Sequence, residues 1–122
     1  MKKGYRVFKK GTYEFIPFVI DGRKLEDAFE ISLSEYGSRE NLSCGLFKMK
    51  TNSFSLTYPN DEVLLIVAGE VSISTEHETL RLEKGDILQV KRGLHATVST
   101  GSSVEIFFAS YPIEGKDREE GA

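Results

Sequence analysis

The chain has 122 residues and a net charge of −3, and 39% of its residues are hydrophobic and 29% charged. The length and composition are typical of one soluble domain with a single core. The negative net charge and the absence of a basic stripe in the sequence argue against a general nucleic-acid binder. The apolar runs are far shorter than the roughly 20 residues that a membrane-spanning helix needs. Because no apolar signal region follows Lys2 and Lys3, we expect a cytoplasmic protein with no membrane partner.

The first predicted elements lie in YRVFKKGTYEFIPFVI, residues 5–20, which reads as two strands with Pro17 confined to an edge or a bulge. The turn signal Asp21-Gly22 follows, and RKLEDAF, residues 23–29, is the best candidate for a helical turn. The N-terminal strands are too apolar for a free sheet edge. We therefore expect a homodimer that uses their apolar residues, namely Tyr13, Phe15, Ile16, Phe18 and Val19.

From residue 28 to residue 110, apolar and polar residues alternate with a period of two, as in half-buried strands. Turn signals separate these segments at short and regular intervals, which predicts an all-β sandwich or barrel. The predicted apolar faces are, in chain order, Phe29-Ile31-Leu33, Phe54-Leu56-Tyr58, Val71-Ile73, Leu80-Leu82 and Val104-Ile106-Phe108.

The predicted domain spans residues 1–113, with N-terminal strands in 1–27 and a barrel in 28–113. The charged residues 114–122 have no apolar anchor, so we expect a mobile tail.

The most informative candidate for chemistry is Glu62 in PNDEVLLIVAGEV, directly before a run of apolar residues. A carboxylate at the mouth of a buried strand is costly unless it is paired. His77 lies in the predicted hairpin turn TEHET, and His95 follows Gly93 at the start of a strand. A metal site normally collects three or four ligands, so we expect neither a metal nor another cofactor.

Residues 54–112 resemble the cupin family, whose two motifs can be laid on this segment. Glu62 and Gly69 match the E-x6-G end of the first motif, and Gly85 and Gly93 match the two glycines of the second. The resemblance implies a cupin-type double-stranded β-helix, which is a jelly-roll barrel, in a single domain. On that template Glu62 points into the barrel.

Most of the cupin metal ligands are replaced in this chain. The first-motif histidines fall at Ser55 and Thr57, or at Leu56 and Tyr58 with the shorter spacing, and the second-motif histidine falls at Ala96. His95 is one place early, and a shift of one residue on a strand turns the side chain to the other face. Lys91 stands where cupins have a proline. The pattern therefore disfavours a metal-dependent cupin isomerase or dioxygenase.

Within the cupins, the chain is similar to the EutQ-like branch of ethanolamine utilisation. Three features carry this resemblance: Tyr58 before Glu62 in TYPNDE, the turn KRG, and the closing strand FFASYP. The branch also lacks the cupin histidines, and some members are associated with acetate-kinase-type activity. The resemblance implies a metal-free protein that binds a small molecule, with such phosphotransfer as an additional expectation.

Two hypotheses remain open at this point. In the first, Glu62 acts as an acid/base or binding group in a small-molecule site, and the candidate binding residues are Ser55, Thr57, Tyr58, Glu62, Lys91 and His95. In the second, Glu62 is only a structural, hydrogen-bonded carboxylate, and the protein is a non-catalytic scaffold or sensor that works as a homodimer. The sequence leaves open whether the protein is an enzyme.

Overall fold

A computed structural model describes residues 3–33 and 42–111 of the chain. The predicted mobile tail, residues 114–122, lies outside the described residues. Within the described residues, seven strands form one antiparallel sheet: β1 (Ile16–Ile20), β2 (Arg23–Ser32), β3 (Ser43–Thr57), β4 (Glu62–Ser74), β5 (Thr79–Glu83), β6 (Ile87–Val90) and β7 (His95–Ser110). Their order is β1-β2-β3-β7-β4-β5, and β6 pairs with the first half of β4.

The long strands β3, β4 and β7 carry the barrel. Their pairings shift register after Lys50 in β3, and after Ile66 and Gly69 in β4. Such bulges bend a strand and increase its twist, which lets one sheet close over its own core. Buried side chains from both halves of these strands consequently meet in one cluster, which includes Met49, Ile66, Ile73, Val98 and Ile106.

The predicted all-β fold is confirmed, and several apolar faces lie inward as expected. Val71 and Ile73 are buried, as are Val104 and Ile106, and Phe108 packs against them. Pro17 lies in the edge strand β1 beside a register shift, as its missing N–H group predicts.

Two predictions for the N-terminal third were wrong. The candidate helical turn RKLEDAF is part of the extended strand β2, because it pairs with β1 on one side and β3 on the other. Only one strand, β1, forms in residues 5–20, where two were expected. Its hairpin with β2 turns at Asp21 and Gly22, whose φ angles of 51° and 76° suit a two-residue type I′ turn.

The inward face of β2 also differs from the prediction. The sequence favours Phe29, Ile31 and Leu33 as the apolar face, but Ala28 is the fully buried residue and Phe29 is 36% exposed. The reason is the pairing with β3, which places Ala28 opposite Met49 and Glu30 opposite Phe47 on the core side. Within the described ranges, no helix is long and apolar enough to span a membrane.

Candidate functional site

A cavity of about 140 Å³ lies inside the barrel. Strands β1 to β4 and β7 supply its lining, which is mostly apolar. Three side chains with ionisable groups reach it, Glu30, Tyr58 and Glu62. The apolar lining consists of Phe18, Phe47, Phe54, Leu56, Leu64, Ile73, Val98, Ile106 and Phe108. A mostly apolar pocket with a few convergent polar groups is the usual form of a small-molecule site.

Glu62 is the first residue of β4, where that strand lies between β6 and β7. Its neighbours across the two pairings are Val90 and Ser110. Burial raises the pKa of the Glu62 carboxyl to about 7, and a hydrogen bond from the Ser110 side chain partly opposes this rise. Glu62 is therefore divided between its neutral and charged forms near neutral pH, which is the condition that general acid–base chemistry uses.

Tyr58 is 5% exposed and follows the last residue of β3. Two backbone hydrogen bonds hold Tyr58 in place. The Tyr58 N–H donates to the Leu94 carbonyl at 2.9 Å, and the Tyr58 carbonyl accepts from the Gly93 N–H at 2.8 Å. Burial, and then the nearby Glu62 charge, raise the pKa of the phenol well above its usual value. Tyr58 consequently stays protonated and can donate a hydrogen bond.

Glu30 is the site residue that the sequence analysis missed. It lines the cavity from β2, and burial raises the pKa of its carboxyl. The local pattern points the other way, since the larger apolar residues of AFEISL occupy the alternate face. Only the β2–β3 register reveals Glu30 as a cavity residue.

Four of the six predicted site residues lie away from the cavity. Ser55 and Thr57 alternate with the inward residues of β3 and are exposed. The Ser55 hydroxyl bonds to the Thr97 hydroxyl at 2.7 Å, and the Thr57 hydroxyl bonds to His95 Nδ1 at 3.0 Å. These bonds tie β3 to β7 on the outer surface. That any of these side chains binds a ligand stays a prediction.

Lys91 does not pair with Glu62. Its Nζ lies 3.6 Å from Asp61 Oδ2, and the Lys91 side chain is 74% exposed. Asp61 also accepts a hydrogen bond from the Arg92 N–H at 2.9 Å, and this bond, followed by the Lys91 and Arg92 charges, lowers the pKa of the Asp61 carboxyl. Asp61 and Lys91 thus form a surface contact at the end of β6, and the partner of Glu62 is Ser110.

The structure also shows why Gly69 and Gly93 occupy their motif positions. Gly69 has a φ of +75°, and a Cβ there would overlap the Ser103 carbonyl oxygen on β7. Gly93 has a φ of +95°, and its N–H donates a hydrogen bond to the Tyr58 carbonyl.

Within residues 3–33 and 42–111, no three His, Cys, Asp or Glu side chains form a group that could hold a metal ion. The His77 side chain is 76% exposed.

Residues 29–117 match the family model described as ethanolamine utilisation protein EutQ. The chain belongs to this family. Comparison with the curated proteins finds no match.

Solved structures agree with the family assignment at the level of the fold. A putative ethanolamine utilization protein from Salmonella typhimurium is 20% identical with a TM-score of 0.79, over 93% of this chain and 90% of that one. The EutQ protein of Clostridium difficile is also 20% identical, with a TM-score of 0.66 over 71% and 69% of the chains. The cupin domain of Schizosaccharomyces pombe Cnp3 is 12% identical, with a TM-score of 0.65 over 94% and 80%. The predicted single-domain cupin jelly roll is confirmed.

Proposed function

We propose that this EutQ-family protein binds a small organic molecule in the barrel cavity, with Glu62 as its principal binding or acid/base group. One observation carries the proposal: the Glu62 carboxyl sits in a mostly apolar cavity with a pKa of about 7, beside the buried phenol of Tyr58. A titratable group shifted by burial inside a cleft is a characteristic of functional sites.

The purely structural hypothesis for Glu62 has less support. A structural carboxylate in a barrel would be expected to gain a charged partner, whereas the partner of Glu62 is the uncharged Ser110 hydroxyl. Burial leaves Glu62 half neutral near pH 7, which does not stabilise the fold through an ion pair. An occupant that hydrogen-bonds to it accounts better for a carboxyl at this buried position.

Acetate-kinase-type phosphotransfer receives less support from the cavity. Phosphoryl transfer requires cations around the transferred group. The ionisable side chains that line the cavity from the described residues are two carboxyls and a phenol, so a triphosphate would meet negative groups there. The proposal therefore concerns binding, with chemistry confined to proton transfer at Glu62.

The test is a thermal-shift screen against small carboxylates, amines, sugars and nucleotides. A compound that stabilises the wild-type protein is then measured with Glu62→Gln, which keeps the side-chain shape, and with Glu76→Gln as the control. Glu76 lies in the exposed β4–β5 turn, where its side chain is 84% exposed. We expect stabilisation to disappear in Glu62→Gln alone. Equal stabilisation of all three proteins, or no stabilising compound, would overturn the proposal.

A scaffold or sensor function as a homodimer is the second candidate. The observation that favours it is the edge strand β1, where Ile16 and Val19 are 58% and 53% exposed. Exposed apolar residues on a sheet edge invite pairing with a second chain. Light scattering at micromolar concentration tests this: we expect a dimer, and a monomer that persists at that concentration would refute it.

We further propose that the protein is cytoplasmic and acts without a bound metal. The cupin histidines are replaced by Ser55 and Thr57, or by Leu56 and Tyr58 with the shorter spacing, and by Ala96, which supports the second point. Elemental analysis of protein purified without an affinity tag should find no stoichiometric Zn, Fe, Mn or Ni. About one metal ion per chain would contradict this and favour a metal-dependent cupin enzyme.

A further inference from the structure

We infer that the occupant of the cavity is a small organic cation, an aliphatic ammonium whose charged end meets Glu62 beside Tyr58 while its hydrocarbon end packs on the aromatic lining. The inference rests on the proposed binding function and specifies the chemical class of the ligand.

The polar groups of the cavity are suited to a hydrogen-bond donor that carries positive charge. Glu30 and Glu62, from β2 and β4, are the acidic residues among the described lining residues. Among the described residues, the Ser110 side chain is the hydrogen-bond partner that acts on the Glu62 carboxyl, and a carboxylate can accept several hydrogen bonds. An ammonium group offers three donors and no acceptor, so it can donate to the Glu62 carboxylate and to the oxygen of the nearby Tyr58 hydroxyl.

Tyr58 supplies an independent sign of an occupant. The residue is 95% buried, because only 5% of its surface is exposed, and its ring lines the cavity. Within residues 3–33 and 42–111, its hydroxyl has no hydrogen-bond partner. Buried hydroxyls in native proteins nearly always have one. A ligand N–H that donates to the Tyr58 oxygen would give this hydroxyl a partner, because a phenol hydroxyl accepts as well as donates.

The apolar lining is also suited to a cation. Phe18, Phe47 and Phe54 form one aromatic cluster, with ring centroids 4.9, 5.0 and 5.7 Å apart. Aromatic faces attract cations and pack well on hydrocarbon chains. The lining residues of the described chain add no Lys, Arg or His side chain that would repel an ammonium or attract an anion.

The volume guides the choice of probe molecules. A protein cavity of about 150 Å³ admits benzene, which has six non-hydrogen atoms. The cavity here measures about 140 Å³, so it suits a molecule of about five or six non-hydrogen atoms. n-Butylammonium, n-butanol and butyrate have this size and differ in charge, and they form the matched probe set.

Proton linkage distinguishes these probes. Without a ligand, Glu62 is about half protonated at pH 7. The groups that face it across the pairings, Val90 and Ser110, are uncharged, and the other titratable groups of the cavity are Glu30 and Tyr58. A bound ammonium lowers the pKa of Glu62 and so releases about half a proton at pH 7. A bound carboxylate raises that pKa, so that Glu62 takes up about half a proton at pH 7, and a neutral alcohol does neither.

The experiment is titration calorimetry of the three probes at pH 7 in two buffers that differ in ionisation enthalpy. We expect n-butylammonium to bind at least about tenfold more tightly than n-butanol or butyrate, as charge-assisted hydrogen bonds predict. We also expect its binding to release protons, and this release to fall in Glu62→Gln but to stay at the wild-type level in Glu76→Gln. Tyr58→Phe should weaken binding and keep the proton release.

The outcomes separate the two proposals. If butyrate or n-butanol binds as tightly as the amine, or if amine binding takes up protons, the inference is wrong while the binding function stands. If no probe binds but the wider screen finds a ligand that depends on Glu62, the inference is again wrong. If neither the probes nor the screen gives a ligand, both proposals fail.

Discussion

The Ser110 hydroxyl donates a hydrogen bond to the Glu62 carboxylate across the β4–β7 pairing. This bond stabilises the charged form of Glu62, whereas burial stabilises the neutral form, and burial is the larger effect. The two residues therefore set together the pH at which the cavity carboxyl changes charge.

Ser110→Ala should raise the pKa of Glu62 above its wild-type value of about 7, because the charged form loses its hydrogen bond. The measurement is an NMR titration of the Glu62 side-chain carboxyl carbon. Ser55→Ala is the control, since Ser55 is exposed on the outer face of β3 and should leave the titration unchanged. An unaltered pKa in Ser110→Ala would show that the bond does not act on Glu62.

Glu62→Gln should remove part of the pH dependence of stability. The folded-state pKa of about 7 lies above the unfolded value of 4.5, so the folded protein binds this proton more tightly. The stabilising contribution is fully present below the unfolded pKa and is lost as pH rises through about 7. Between about pH 5 and pH 8, the wild-type free energy of unfolding should fall by on the order of 2 kcal/mol more than that of Glu62→Gln. Glu30 shifts in the same direction but is present in both proteins. Denaturant unfolding at several pH values measures the difference, and parallel pH profiles would contradict the prediction.

Gly69→Ala should destabilise the fold by about 3 kcal/mol or more, because a Cβ at this position overlaps the Ser103 carbonyl and the φ of +75° is strained for alanine. Gly101→Ala is the matched control on the neighbouring strand. Nothing lies within 4 Å of a Cβ at Gly101. Its cost should stay within about 0.5 kcal/mol. Similar denaturation midpoints for the two variants would show that the close approach of β4 to β7 at Gly69 is not as described.

Phe47→Ala and Phe29→Ala test which faces of β2 and β3 are buried. Phe47 is 7% exposed within the aromatic cluster, whereas Phe29 is 36% exposed on the outer face opposite Lys48. Truncation should cost about 3–5 kcal/mol at Phe47 and about 1 kcal/mol at Phe29. The sequence pattern alone, with Phe29 on the apolar face, predicts a large loss at Phe29, so chemical denaturation of the pair discriminates between the two faces.

Lys91→Ala should leave the melting temperature almost unchanged, because its contact with Asp61 is long and exposed. If Lys91 instead neutralised a buried Glu62, its removal would cost about 3–5 kcal/mol. Asp61→Ala should lower the melting temperature more than Lys91→Ala, since it also removes the oxygen that accepts a hydrogen bond from the Arg92 N–H. A large loss in Lys91→Ala would restore the ion-pair hypothesis for Glu62.

The strand period and the motif glycines are encoded locally, and for this reason they could be predicted. Alternation along FSLTY places Phe54, Leu56 and Tyr58 on one face whatever the partner strand is, and the structure confirms that this face lines the cavity. The same period excludes Ser55 and Thr57 from that face. Ser55 and Thr57 are candidates only because the longer spacing of the first cupin motif places its histidines there. The shorter spacing places them at Leu56 and Tyr58, which lie on the inward face that the strand period predicts.

The choice between the two faces of β2 was decided by tertiary structure. AFEISL carries its larger apolar residues on one face, yet pairing with β3 turns Ala28 and Glu30 toward the core, because Met49 and Phe47 fill the space on that side.

Tertiary structure also decided which residue is the partner of Glu62. Lys91 and His95 are near it in the motif, but strand register places Ser110, 48 residues along the chain, beside it. Local sequence sets the period of a strand, whereas the face that is buried and the residues that meet across a barrel depend on which strands pair, and that is a long-range property.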